Sequence, residues 1–559
     1  MNLAFGVVLF AITALLAWPL GRYMAWALGP ARGDRFDRAV ELVLGRGSLD
    51  AQSWKRYALS MVVFNALMFV FVFVMLQSQQ WLPLNPDDKG PFEPSLAFNT
   101  AMSFTTNTNL QHYSGEQSLS YFAQILGLAW LQFVSAATGI GALAAISRAL
   151  GPKREMGNFY RDLVRATVLV LLPLSIVVAL TLIVLGVPMT LDGAAIAHTV
   201  EGAVQTIARG PVAAMVSIKQ LGTNGGGYFG PNSTHPFENP SFYSNVLENS
   251  AILLIPMATV WMFGRLIGRI KHAAVVFGVM TAFFFAMSTS SVVFDAQPNA
   301  AFAGLPVDQV LGNLEGKELR IGAPGGAFWA ASTTATSNGS VSAMHDSLNP
   351  LAGLIPLIGM WLNVTFGGAG VGFINMFLYI VVAVFIAGLM VGRTPEYLGR
   401  KIEAREMKLA TLALLLHPLM ILGGTALFAA TAWGTGTIAN PGSHGFSEIL
   451  YEFSSAAANN GSGFEGLGDN TVPWNIATGM AMFFGRFLPI ILPLAIAGFL
   501  AQKKLIPESI GTFRTDTPLF GLLLFGSVLL LGALLFLPAA VLGPIAEHLT
   551  LTAVPGTAP

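Results

Sequence analysis

The sequence has no cysteine and very little charge, and each absence excludes a class of protein. Without cysteine the chain can form no disulfide bond and no thiolate metal site. Only 10% of its 559 residues are charged, whereas soluble domains carry roughly 25%. A Walker-type phosphate loop and the Asp-Lys-Thr-Gly-Thr phosphorylation sequence are also missing, so the chain cannot hydrolyse ATP by itself. Its net charge is zero, and nucleic acid is not expected as a partner.

Long apolar runs make up most of the chain. Hydrophobic residues account for 54% of it, and several stretches without any charged residue exceed the roughly 20 residues that a helix needs to cross a bilayer. We therefore predict an all-α polytopic membrane protein surrounded by lipid. The predicted crossings lie near residues 3–21, 57–81, 119–147, 166–187, 243–264, 272–294, 350–392, 409–433, 473–500 and 518–543.

The distribution of Lys and Arg predicts the orientation of these ten crossings. Basic residues collect in cytoplasmic loops, and they do so here only if residues 350–392 form one interrupted pass. Both termini are then expected outside, on the periplasmic side. The cytoplasmic loops become 32–56, 148–165, 265–271, 393–408 and 503–514. The outer loops 82–118, 188–242, 295–349 and 434–472 are long and polar, and function is expected there.

Each long outer loop carries one copy of a short related motif. The four copies are Thr106-Asn107-Thr108, Thr223-Asn224-Gly225, Ser337-Asn338-Gly339 and Asn459-Asn460-Gly461. Their central Asn residues are 117, 114 and 122 positions apart, and in three copies an aromatic residue lies nine positions upstream. Asn-Gly is a common turn dipeptide, but turns alone do not explain so regular a spacing. The spacing indicates a fourfold internal repeat.

A short apolar run precedes each motif, at residues 94–104, 212–221, 327–335 and 446–458. These runs are too short to cross a bilayer and suit re-entrant helices whose irregular return segments line a cavity. We predict four fused helix–pore-loop–helix repeats in a pseudo-fourfold arrangement, with one extra helix at each end. The predicted boundaries are 1–56 for the first helix and loop, 57–150, 151–271, 272–405 and 406–504 for the repeats, and 505–559 for the last helix.

The chemistry of the motifs predicts a site for a monovalent cation. They contain Thr, Ser, Asn and Gly but no carboxylate, whereas divalent cations call for clustered carboxylates. Neutral oxygens can replace the hydration shell of an alkali ion. Gly225, Gly339 and Gly461 permit backbone angles that would turn successive carbonyls toward an axis.

Several longer runs resemble the potassium-binding A subunits of the Kdp pump, a bacterial ATP-driven potassium importer. The resemblance covers nearly the whole chain. The runs that carry it are Thr106–Asn109 with Tyr113–Glu116, Leu221–Gly227, His235–Pro240, Ala343–Ser347, Gly392–Gly399, Asn440–Ser447 with Glu448, and Asn459–Ser462. Two positions depart from the pattern: Asn338 stands where relatives have a small residue such as Cys, and Thr108 stands where the other three motifs have Gly.

The resemblance implies a fold like that of the potassium channel superfamily and a selectivity filter made of the twelve motif residues. It further implies that K+ is bound from outside and passed through an intramembrane tunnel to the pump's B subunit, a P-type ATPase. The pump's C subunit and a small single-helix subunit would complete the complex in the bacterial inner membrane. The chain itself would be a non-catalytic subunit with K+ as its transported ion and no organic cofactor.

Two further features are candidates for control of ion movement. Arg486 is placed inside a crossing, and intramembrane charges are functional candidates. The resemblance favours a cation plug below the filter, and the alternative is a structural ion pair with an acidic neighbour. The glycines of the long crossing predict a break in its helix, with a gating loop and close helix packing as the alternatives. These glycines are Gly367, Gly368, Gly370 and Gly372.

Two other functions remain open from the sequence. A stand-alone potassium channel or symporter would share the four-repeat fold. A polytopic membrane enzyme would need titratable residues converging at one membrane face, and the sequence shows no such set.

Overall fold

The computed structural model describes residues 3–29, 34–45, 48–390, 392, 394–507 and 513–553, which are mostly helical. Arg32, Arg46 and Arg393, assigned above to cytoplasmic loops, lie outside these ranges. Ten helical segments of the described chain are long and apolar enough to cross a membrane. The prediction of ten crossings is therefore confirmed.

The α-helices follow one another along the chain with short connections in places and long ordered loops in others. They are α1 (Leu3–Ala27), α2 (Arg35–Leu44), α3 (Trp54–Ser78), α4 (Pro94–Thr105), α5 (Gly115–Ser118), α6 (Trp130–Leu150), α7 (Phe159–Arg165), α8 (Leu172–Val184), α9 (Val212–Leu221), α10 (Phe242–Leu266), α11 (Ile270–Asp295), α12 (Ala323–Ala335), α13 (Pro350–Leu362), α14 (Val371–Met390), α15 (Ala404–Ala429), α16 (Ala432–Thr435), α17 (Gly442–Ala458), α18 (Val472–Gln502), α19 (Pro518–Ala540) and α20 (Ala546–Ala553).

Other local structure is short and lies between or beside these helices. π-Helical turns precede α6, α8 and α20, at Ala123–Ala129, Ala166–Leu171 and Val541–Ile545. Three 3-10 turns are Gln79–Trp81, Asn232–Thr234 and Ala300–Phe302. Two antiparallel hairpins pair β1 (Ala195–His198) with β2 (Val204–Ile207) and β3 (Glu396–Tyr397) with β4 (Arg400–Lys401).

Four units, each with an outer helix, a pore helix and an inner helix, surround the centre. Unit 1 is α3, α4 and α6; unit 2 is α7–α8, α9 and α10; unit 3 is α11, α12 and α13–α14; unit 4 is α15, α17 and α18. The pore helices are almost entirely buried. Helix α1 packs along α10, and α19 packs on α11 and α14, so the two extra helices lie outside the four units as predicted.

The long apolar segment of unit 3 is interrupted in its middle. Helix α13 ends at Leu362, Asn363 takes a left-handed conformation with φ of 48°, and α14 begins at Val371. Gly367 and Gly370 also have positive φ angles, 60° and 83°, which other residues adopt only with strain. The predicted break therefore exists, and we call residues 363–370 the unit 3 loop.

A histidine fastens the start of pore helix α17 to the C-terminal helix α20. His444 Nε2 and Nδ1 lie 2.9 Å from Asp346 Oδ1 and 2.8 Å from Glu547 Oε1. Burial opposes the charged ring, but the hydrogen bonds to the two carboxylates outweigh it and raise the pKa of His444 to about 10. The ring is therefore positively charged at neutral pH and completes both ion pairs.

Candidate functional site

The four motifs occupy equivalent positions, each directly after the C-terminal end of a pore helix. One residue just after each pore helix has the left-handed conformation, with φ between 49° and 64°. These residues are Asn107, Thr223, Ser337 and Asn459. The next residue in each motif donates its N–H to a pore-helix carbonyl five residues back, at 2.8 or 2.9 Å. These four residues are Thr108, Asn224, Asn338 and Asn460. The backbone therefore defines one common register for all four motifs.

This common register shows that the first motif was matched to the other three with an error of one residue in the sequence analysis. The counterpart of the central Asn is Thr108 rather than Asn107, and the counterpart of the glycines is Asn109, with φ of 56°. Thr108 therefore does not replace a glycine, and Thr106 precedes the motif. The sequence was misleading because Asn107 lies at nearly the same distance from the second motif as the other central Asn residues lie from one another. The feature that identifies Asn109 as the counterpart of the glycines is its positive φ, which the sequence does not show.

The four motifs contact one another in a closed ring. A methyl group built on Gly225 would lie 1.9 Å from the carbonyl oxygen of Asn338, and one on Gly339 would lie 2.0 Å from that of Asn460. A methyl group on Gly461 would likewise lie 2.0 Å from the oxygen of Thr108. Units 2, 3, 4 and 1 therefore touch in succession, and the close approach requires glycine.

Side-chain amides complete the ring between units 1 and 2. Asn107 Nδ2 donates to the carbonyl oxygen of Thr223 at 2.8 Å, and Asn107 Oδ1 accepts from Asn224 Nδ2 at 2.7 Å. Ser135 Oγ on α6 donates to the same Oδ1 at 2.8 Å. Asn338 Nδ2 donates similarly to Lys219 O at 3.0 Å on the preceding pore helix. These amides bind scaffold atoms, so they position the ring rather than offer ligands.

The carbonyl oxygens of the central residues are left without donors. Among the described residues, no N–H or O–H group donates to the main-chain oxygen of Thr108, Asn224, Asn338 or Asn460. A buried carbonyl without a partner is costly, so these four oxygens are available to a ligand. The pore helices end at the ring, and their partly negative C-terminal ends favour a cation there.

Two aromatic residues brace the segments that follow the motifs. Trp329 Nε1 donates to Ser340 O at 2.8 Å, and the Tyr451 hydroxyl lies 2.8 Å from Ser462 Oγ. Both aromatics lie nine positions before the central residue. With the corrected register, that position in unit 1 is Asn99, while Phe98 packs against Phe69.

Arg486 and the unit 3 loop lie together next to the ring. Arg486 is 3% exposed, and its Nη2 donates to the carbonyl oxygen of Ser135 on α6 at 3.0 Å. It has no acidic partner among the described residues, so the alternative of an ion pair is not found. The unit 3 loop is fixed to the motifs because Ala369 N donates to Thr223 Oγ1 at 2.8 Å and Gly367 N donates to Ala335 O at 2.8 Å.

A cavity of ≈ 340 Å³, here called the vestibule, opens over the third positions of the motifs of units 3 and 4. Its lining includes Gly339, Gly461, His112, Glu465 and Asp469. Burial opposes protonation of the His112 ring, but the negative charges of Asp469 and Glu452 outweigh it and raise the pKa of His112 to about 9. Two acidic side chains, Glu465 and Asp469, therefore line the vestibule, although the motifs contain none.

Comparison with known proteins identifies the family. The sequence model described as "KdpA: Potassium-transporting ATPase A subunit" matches residues 7–549. This chain belongs to that family. A relative from Geobacillus kaustophilus, named potassium-transporting ATPase potassium-binding subunit, is 49% identical over 554 residues, which cover 97% of this chain and 98% of the relative.

The fold is also that of a solved transporter. The structure of the potassium transporter TrkH from Vibrio parahaemolyticus matches with a TM-score of 0.50, covering 86% of this chain and 97% of TrkH. The two sequences are 15% identical, so the likeness concerns the fold alone. It agrees with the four-unit architecture described above for this member of the A-subunit family.

Proposed function

We propose that this chain is the potassium-selective, channel-like subunit of an ATP-driven potassium importer. It binds external K+ in the ring of motifs, which acts as a selectivity filter. The observation that carries the proposal is the set of four equivalent carbonyl oxygens without donors in a closed ring. With the corrected register, the filter comprises Asn107, Thr108 and Asn109 with the three motifs of units 2, 3 and 4.

The neutral ligands of the ring favour a monovalent ion over a divalent one. Carbonyl oxygens replace the hydration shell of K+ in channel filters, and a ring without carboxylates lacks the charge that binds Ca²⁺ or Mg²⁺ strongly. The carboxylates of the vestibule would raise the local concentration of cations above the ring without selecting among them. The carbonyl oxygens of the ring are thus assigned the selection of K+, and the carboxylates of the vestibule the attraction of cations.

The ion leaves the ring sideways in this proposal. Arg486 presents a positive charge next to the ring, and the unit 3 loop packs against Thr223, so a straight passage is opposed both electrostatically and sterically. A cavity of ≈ 40 Å³ lies between units 3 and 4, and its mostly apolar lining includes the polar residues Asn363, Asn375 and His417. We assign this cavity to the start of an intramembrane tunnel.

A partner must supply the energy, since the chain has no nucleotide-binding or phosphorylation sequence. We propose that the pump's B subunit, a P-type ATPase, receives the ion, and that the C subunit and a small single-helix subunit belong to the same bacterial inner-membrane complex. Both termini of this chain would lie on the periplasmic side. The glycines of the unit 3 loop would let it move and gate the tunnel.

The test compares the chain alone with the complete complex in liposomes. With its ATPase subunits, we expect ATP hydrolysis to depend on K+ and to drive uptake of the ion. Alone, the chain should conduct K+ poorly. Rapid passive K+ flux through the isolated chain would instead support a stand-alone channel, and ATP hydrolysis that ignores K+ would contradict the importer.

A further inference from the structure

One histidine and two carboxylates converge on a small volume at the wall of the vestibule, which His112 and Asp469 line directly. His112 Nε2 lies 3.1 Å from Glu452 Oε1 and 3.9 Å from Asp469 Oδ2. The three ligand atoms all lie within 4.8 Å of one another. The residues come from the segment after the first motif, from pore helix α17 and from the loop before α18. Residues far apart in sequence are therefore brought together where the vestibule meets the ring.

The separations are compatible with three ligands of one metal ion. Zinc binds imidazole nitrogen and carboxylate oxygen at about 2.0–2.2 Å, which places neighbouring tetrahedral ligands roughly 3.3–3.5 Å apart. His112 and Glu452 would suffice for an ion pair. Asp469 Oδ2, however, is too far from the ring nitrogen for a hydrogen bond, and no described residue donates to its carboxylate. An ion shared by the three side chains would give the carboxylate of Asp469 a direct partner.

The second nitrogen of His112 is held as in metal sites. Ser95 Oγ donates to Glu93 and can therefore only accept from Asn475 Nδ2, which lies at 3.0 Å. This orients the amide of Asn475, so its Oδ1 accepts from His112 Nδ1 at 2.7 Å. The outer hydrogen bond fixes the ring orientation and leaves Nε2 facing the carboxylates, which is the arrangement that supports metal-ligating histidines.

Apart from the His112 ring itself, no cationic side chain of the described residues reaches this position. Among the described residues, no Lys or Arg pairs with Glu452 or Asp469. The imidazole ligand favours a transition metal over Mg²⁺ or Ca²⁺, which prefer oxygen ligands alone. The side chain of Asp469 is 25% exposed and faces the vestibule, so an ion can reach the site from the outer solution and retain water as a further ligand.

We propose that His112, Glu452 and Asp469 form a binding site for a divalent transition-metal ion, such as Zn²⁺, that inhibits K+ uptake. The bound ion displaces the Nε2 proton of His112 and neutralises both carboxylates. The site then no longer carries the net negative charge that attracts K+ toward the ring, and Gly461 of the ring lines the same vestibule. The inhibitory effect, though not the metal site, rests on the function proposed above.

The first experiment measures Zn²⁺ binding to the full-length chain purified in detergent with its copurifying subunits. We expect Asp469→Asn and His112→Asn each to weaken Zn²⁺ binding at least about tenfold. Asp469 lies in a partly exposed loop, so its variant is the one least disturbing to the fold. His198→Asn, in the exposed hairpin strand β1, is the matched control and should bind Zn²⁺ like the unchanged protein. Unchanged affinity in Asp469→Asn would overturn the metal site.

The second experiment measures ATP hydrolysis against K+ concentration with and without micromolar Zn²⁺. Zn²⁺ should raise the K+ concentration for half-activation at least about tenfold in the unchanged complex and have little effect in Asp469→Asn. If Zn²⁺ binds normally but the K+ dependence does not change, the proposed metal site stands. The proposal that K+ reaches the ring through the vestibule is then wrong. The two failures are therefore distinguishable.

Discussion

Replacement of Gly225 by alanine tests the ring most directly. Gly225 has φ of 85°, and a methyl group on it would lie 1.9 Å from Asn338 O and 2.6 Å from Ser340 N, both backbone atoms. An ordinary carbon–oxygen contact is about 3.3 Å, so the carbonyl must retreat by roughly 1.4 Å. A binding site tolerates displacements of only about 0.5 Å. The loss of one oxygen ligand and the backbone strain together should cost about 3 kcal/mol, or roughly 100-fold in K+ affinity.

The assay is the K+ dependence of ATP hydrolysis by the purified complex, supported by growth at low external K+. Gly202→Ala provides the matched control, because Gly202 has nearly the same φ, 87°, but no atom within 4 Å of the added methyl group. It carries the same local strain without the clash and should leave the K+ dependence unchanged. Half-activation of Gly225→Ala within threefold of the unchanged protein would refute the reasoning, as would equal effects of both variants.

Three other outcomes are expected. Arg486→Ala should raise passive K+ flux and lower the K+ transported per ATP; unchanged flux and coupling in liposomes would reject the plug. Since the pKa of His444 is raised to about 10, its ion pairs should stabilise the fold below pH 6.5 and be lost as the pH rises through 10. His444→Gln should therefore unfold about 2 °C lower at pH 7 but not at pH 10.5, and a pH-independent difference would contradict this. Gly226→Ala should weaken K+ activation, and Asn109→Gly in the same chain should restore part of it, because the contact with Phe104 Cζ at 2.9 Å remains; additive losses would argue against their contact.

The architecture could be predicted because it follows from local composition and spacing. Apolar runs, the distribution of Lys and Arg, and the constant distance between motifs require no knowledge of tertiary contacts. They were sufficient for ten crossings, four pore helices and the interruption in unit 3. The position of Arg486 inside a helix was also predictable, because residues 473–500 contain no other charge.

The sequence could not show which atoms face which. His112 lies more than 300 positions from Glu452 and Asp469 along the chain, so neither their convergence nor the vestibule could be inferred from spacing. The side chains of Asn107 and Asn338 were expected to offer oxygens to the ion, yet they bind the backbone of neighbouring units. The identity of a polar residue does not reveal whether it binds a ligand or holds the scaffold.

Asn109 in unit 1 explains why unit 2 has a second glycine, Gly226, directly after the glycine of its motif. Unit 1 has Asn109 where the other units have glycine, and its Oδ1 accepts from Gln132 Nε2 at 2.9 Å. A methyl group on Gly226 would lie 2.7 Å from the Cβ of Asn109, so the side chain fits only because unit 2 has glycine at that point. Gly226 thus makes room for the side chain of Asn109 in unit 1, whereas Gly225 allows the close approach of the carbonyl oxygen of Asn338 in unit 3. Units 1 and 2 are therefore adapted to each other, and their motifs cannot be exchanged even though they share one backbone conformation.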